Sequence, residues 1–177
     1  MTYGHALSHS KPAAAEARLR EYLRNPKIAK RLADMEAGKV PVDNDHDLPF
    51  LSGTTGRGSD WGLAFDRHLP ATLDIGGKKI DPRLFLRWHE AFERSLMDVY
   101  GMPYLRAHVF ATLLEHQKLD AAGVDHTAYE KALKPFIDSS EAEKIIHPPA
   151  RLDKRPYQQD HDQSDNAKAI RRRLAAA

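Results

Sequence analysis

The chain has 177 residues, 41% of them hydrophobic and 29% charged, with a formal net charge of +2. That suffices for one buried core, excludes a wholly disordered chain, and is too weakly basic for a surface dedicated to nucleic acid. There is no cysteine, which excludes disulfides and thiolate zinc sites and leaves histidine and carboxylate as the available metal ligands. No apolar run approaches the roughly 20 residues of a membrane span, and no signal-peptide core opens the sequence, so a cytoplasmic location (bacterial, or inside a host cell) is expected.

Residues 1–11 lack apolar periodicity and read as a loose tail. From Pro12 the pattern is helical, with Leu19, Tyr22 and Leu23 along one side. Asn25-Pro26 restarts a second helix as N-cap and first-position proline, Ile28, Leu32 and Met35 form its stripe, and Gly38 closes it. Residues 1–40 are thus a tail and an amphipathic arm, expected to pack on the domain or on a neighbouring subunit. Residues 41–60 read as a Gly-rich surface loop, including a solvated acidic run from Asp43 to Asp47. Its Gly53-Thr54-Thr55-Gly56-Arg57-Gly58 lacks the Lys-Ser/Thr pair of a nucleotide loop.

Residues 61–80 predict a short β-hairpin: Trp61, Leu63 and Phe65 alternate, Thr72 to Ile75 begin a second run, and Gly76-Gly77 turns the chain. Asp81-Pro82 opens a helix to about Tyr100, which Gly101-Met102-Pro103 stops. A second helix runs to about Ala122 and, across so short a connection, lies antiparallel to the first. A third, capped by Asp125 or Thr127, carries Tyr129, Leu133, Phe136 and Ile137 and is interrupted at Pro135. The fold class is α+β, mostly α, with a globular core over residues 61–138 that holds the candidate site. Residues 139–177 read as an extended polar tail containing a short helix, Asn166 to Leu174, and the basic run Arg171-Arg172-Arg173.

On a helical wheel Leu84, Phe85, Trp88, Phe92, Leu96 and Val99 cover an arc of roughly 120°, with His89 and Glu93 beside it inside a broad apolar face and Arg87, Arg94 and Asp98 on the opposite, wet side. His89 and Glu93 are four residues apart and stand one above the other. On the next helix His108 and Glu115 share a face with Tyr104, Ala107, Ala111 and Leu119. Buried carboxylates need compensation. It can come from a polar network, His89 with Glu115 and His108 with Glu93, with Tyr104 as a further donor. It can also come from a divalent metal ion held by His89, Glu93, His108 and Glu115.

The run His89-Glu90-Ala91-Phe92-Glu93 reads H-E-x-x-E and resembles the H-E-x-x-H helix of the zincin metallopeptidases, over about residues 61–120. The chain also looks similar to small bacterial and phage proteins with the same run of D-x-x-L-P, hairpin, H-E-x-x-E and A-H-x6-E. The zincin resemblance implies a zinc ion (Zn2+, or another divalent metal) with His89 as first ligand, Glu93 in the place of the second histidine, and His108 or Glu115 as the third. It implies Glu90 as general base and Tyr104 as a catalytic donor, in a metal-dependent hydrolase acting on a peptide or protein. The alternative is a structural or assembly protein of a bacterial or phage complex, whose arm and tail mediate homo- or hetero-oligomers and whose His/Glu cluster is a buried polar network. A carboxylate-rich iron or manganese site is a third option, but it wants a further glutamate and a repeated E-x-x-H.

Overall fold

The computed structural model describes residues 12–48, 50–142 and 147–158. Helices α1 (Pro12–Leu23) and α2 (Pro26–Glu36) are divided by Asn25, whose side chain accepts the Lys27 amide at 3.0 Å. The arm is part of the core. Leu19, Tyr22, Ile28, Leu32 and Met35 belong to the main hydrophobic cluster, and the Tyr22 ring meets Phe110 edge-on at 5.1 Å.

The segment expected to be a loop, residues 41–60, contains two strands, β1 (Val42–Asp43) and β2 (Ser52–Arg57). β2 pairs antiparallel with β3 (Asp60–Phe65), Ser52 opposite Phe65 and Arg57 opposite Asp60, and β1 lies parallel on the other side of β3. Glycine misled the reading. A Cβ on Gly56 would sit 2.0 Å from the Asp60 carbonyl oxygen, and one on Gly62 would meet Thr55 Oγ1 at 2.9 Å. These glycines mark tight backbone approach within a hairpin, not a flexible loop. The hairpin expected over 61–80 is corrected accordingly. Its first run pairs backward with β2, while β4 (Leu73–Ile75) and β5 (Lys78–Ile80) form a separate hairpin about Gly76-Gly77.

Helix α3 (Arg83–Tyr100) follows, with the Asp81 side chain accepting the Arg83 amide at 2.9 Å and Gly101 closing it at φ 60°. α4 (Tyr104–Ala121) returns against it, and α5 (His126–Ala142) continues through Pro135 with Asp125 accepting the Ala128 amide. The α+β, mostly α class is as expected. α3 is the axis of the molecule: α4, α2, β2 and β3 all pack on it. No helix among the described residues is long and apolar enough to cross a membrane.

Residues 139–177 are not simply a tail. α5 extends to Ala142, and residues 147–158, ending in α6 (Arg155–Gln158), strap the free edge of β2. The strap is held by backbone bonds: Gly56 N–H to Arg151 O, Asp153 N–H to Thr54 O, and Asp47 N–H to His147 O, at 2.8, 2.8 and 2.9 Å. Leu152 tucks beneath the sheet with Leu48, Ala64 and Phe50. Residues 1–11, the proposed helix Asn166–Leu174 and the arginine run lie outside the described residues.

Candidate metal centre

Antiparallel packing of α3 on α4 sets His89 and Glu93 against His108 and Glu115, as their shared faces require. Ala107 and Ala111, both fully buried, let the helices approach closely. His89 Nδ1 lies 2.9 Å from Glu115 Oε2. His89 Nε2 lies 3.0 Å from His108 Nδ1, His108 Nδ1 lies 2.9 Å from Glu93 Oε2, and His89 Nε2 to Glu93 Oε2 closes a triangle at 3.4 Å.

Protons satisfy this triangle only in part: a hydrogen on His108 Nδ1 shared between His89 Nε2 and Glu93 Oε2 serves the two hydrogen-bonded edges and leaves the 3.4 Å contact without one. With one hydrogen on either imidazole nitrogen, shared or not, one edge sets lone pair against lone pair. With hydrogens on both, the two nitrogens face each other donor to donor. A cation at the centre satisfies all three edges together. Ligand atoms on a tetrahedral zinc, at about 2.0–2.1 Å from the metal, lie about 3.3 Å apart, so the triangle needs little expansion. Glu115 stands behind His89 and fixes the ring through Nδ1, the carboxylate–histidine pairing usual behind metal-bound imidazole. The four expected residues are therefore brought together in unequal roles: three donor atoms converge, and Glu115 orients one of them.

The charges bind these groups to one another. Burial opposes ionisation of Glu93, but hydrogen bonds from His108 and His89 outweigh it and bring the carboxyl down to about 2. Burial likewise opposes charge on His89, and Glu115 and Glu93 override it, raising the imidazole well above its ordinary value. Burial and the neighbouring Glu115 carboxylate push the Tyr129 phenol up, leaving it a permanent donor beside the site. The His108 side chain is 31% exposed against 8% for His89 and 4% for Glu93, so the site opens to solvent past His108. Tyr104 flanks that opening, its ring centroid 5.5 Å from that of His108.

Glu90 points elsewhere, toward the sheet, where Ser52 Oγ donates to its Oε1 at 2.8 Å. Burial, then the Glu93 charge, raise its carboxyl to about 8. Arg94, placed on the wet side by the wheel, is buried. Its guanidinium donates to Thr54 Oγ1, Thr55 O and Gly56 O at 3.2, 3.2 and 3.0 Å, with Asp153 at 3.5 Å. α3 buries two faces, and the wheel resolved only the one against α4. Ser52, Arg94 and Tyr129 were missed; the available signal was the four-residue spacing of Glu90 and Arg94, which repeats that of His89 and Glu93.

Asp47, Asp66 and His68 also gather donor atoms that could hold an ion. Their carboxylates, however, are engaged by the loop itself: Asp66 accepts the Leu48 and His68 amides, and Asp47 accepts the His147 amide and pairs with Arg67. No protein-family model, curated protein or solved structure matches the chain, so its own geometry carries the functional reading.

Proposed function

We propose that the chain binds one zinc ion through His89 Nε2, Glu93 Oε2 and His108 Nδ1 and acts as a metal-dependent hydrolase of peptides or proteins. The observation that carries this reading is the convergence of three donor atoms at 2.9–3.4 Å, whose three edges no single placement of protons turns into hydrogen bonds together. Three protein ligands leave a position free, as in hydrolytic zinc sites, and the ion would supply Lewis acidity that lowers the pKa of water there toward about 7. Glu115 holds the His89 tautomer, and Tyr104 stands at the open side as a donor. Glu90, next to the first ligand in sequence and with a carboxyl near 8, has the protonation behaviour of a group that gives and takes a proton at neutral pH, and would turn from Ser52 to reach water at the metal.

The second reading, a structural protein with a buried polar network, is favoured by one observation: the pairings His89–Glu115 and His108–Glu93 at 2.9 Å are those a network would use. Elemental analysis of untagged protein separates the two. The hydrolase reading expects about one zinc per chain and a Glu90→Gln variant that keeps the metal, folds and loses hydrolysis of a casein substrate. Protein without metal, whose melting temperature falls equally for His89→Ala and His108→Ala with and without chelator, would establish the network instead.

A further inference from the structure

On the sheet side of α3, away from the triangle, the β2–β3 turn and the strap enclose a cavity of about 730 Å³. Five cationic side chains line it, Arg57, Arg94, Arg151, Lys154 and Arg155, against the carboxylates of Asp98 and Asp153. The three positive charges in excess exceed the net charge of the whole chain, +2, so the cavity concentrates charge that the rest of the surface does not carry.

The cations fall into two groups. Arg94 and Arg155 form the floor with Arg31 behind them, and they are spent on structure. Arg155 pairs with Asp153 and Asp98 at 2.6 and 2.7 Å, Arg31 with Asp98 at 2.7 Å, and Arg94 with the backbone of β2. They neutralise both carboxylates and leave a positive remainder. Arg57, Arg151 and Lys154 form the exposed rim. Arg151 is paired with Asp60 at 2.6 Å. The side chains of Arg57 and Lys154 make no hydrogen bond or ion pair among the described residues. Two unengaged cations over a positively biased floor, on a turn and a strap fixed by backbone bonds, form a preorganised receptor for an anion with several charged oxygens.

We propose that this cavity binds a phosphorylated small molecule of nucleotide size, through its phosphate groups, with Arg57 and Lys154 as the principal ligands and Arg151 beside them. The volume lies within the range of about 300–1,000 Å³ usual for small-molecule pockets. A nucleic-acid backbone would instead need a basic stripe extending beyond the cavity, and the small net charge argues against one. The proposal does not depend on the metal centre, because His89 and Glu93 face α4 while Arg94 faces β2.

The test is calorimetric titration of inorganic pyrophosphate into metal-depleted full-length protein at low salt, beside the Arg57→Ala/Lys154→Ala double variant. Both side chains are exposed, so an unchanged melting temperature will verify that the variant is folded. Saturable one-to-one binding, weakened at least ~10-fold in the double variant, is the expected result. Binding that does not saturate, or that is equal in the two proteins, overturns the site. A single-stranded oligonucleotide that binds wild type more tightly than pyrophosphate, with a steep salt dependence lost in the double variant, overturns the small-molecule assignment in favour of nucleic acid.

Discussion

Replacing Glu90 by glutamine should stabilise the metal-free protein, increasingly so as the pH rises. The Glu90 side chain is buried against Ser52, within reach of the charges of Glu93, His89 and Glu115, and burial followed by the Glu93 charge raises its carboxyl to about 8 from an ordinary value of 4.5. Between those values the folded chain holds a proton that the unfolded chain has released, so stability falls as pH rises through this window. At pH 7 the unfolded group is about 2.5 pH units past its midpoint, which at ~1.4 kcal/mol per unit costs the folded state about 3 kcal/mol; at pH 5 the cost is below ~1 kcal/mol. Glutamine presents a neutral amide of the same shape whose oxygen can still accept the Ser52 hydroxyl. The advantage of Glu90→Gln should therefore grow by about 2 kcal/mol from pH 5 to pH 7, read by urea unfolding in chelator-treated buffer. The neighbours add slopes of their own. Depressed Glu93 stabilises above its ordinary 4.5 and loses that contribution as pH falls toward 2, whereas raised His89 stabilises below 6.5 and loses its contribution as pH rises through its folded value. Both are present in wild type and variant, so they largely cancel in the difference. A difference that stays constant with pH would refute the reasoning.

Glu115→Gln should leave the three donor atoms in place but release the His89 ring, weakening zinc binding roughly 10–100-fold. Competition with a chromophoric chelator measures this, and equal affinities would remove Glu115 from the site. Arg94→Met should destabilise by about 2–3 kcal/mol, because it strips hydrogen bonds from Thr55 O and Gly56 O, while Asp153 keeps its pairing with Arg155. Guanidinium unfolding checks this, and a loss below ~1 kcal/mol would mean the strap alone holds β2.

Helix boundaries were legible because local chemistry sets them. Asn25, Asp81 and Asp125 each accept an amide near the helix start, and Gly101 turns left-handed at the end of α3. The pairing of His89 with Glu115 and of His108 with Glu93 was legible too, because both helices place those side chains inside their apolar faces. β2 was not: Ser-Gly-Thr-Thr-Gly-Arg has a loop's composition, and its strand character comes from β3 on one edge and the strap on the other. The strap is polar for the same reason it was missed, since backbone groups fix it and place few demands on side chains.

The two charged stripes of α3 show where helix periodicity stops being informative. His89/Glu93 and Glu90/Arg94 have the same four-residue spacing, one residue apart, and a wheel assigns the first pair to the core, Glu90 to the border of the apolar face and Arg94 toward solvent. Their chemistry is decided by what each meets. The first meets a helix that offers His108 and Glu115, and three donor atoms converge within 3.4 Å of one another. The second meets a strand that offers hydroxyls and carbonyls, where Glu90 accepts from Ser52 and the Arg94 Nη atoms donate to Thr54, Thr55 and Gly56. A charged pair facing backbone and hydroxyl partners meets no further ligand atoms. A pair facing further ligand atoms gathers donors that could hold a cation, and for that reason the proposed metal site lies on the α4 side of the helix and not on the sheet side.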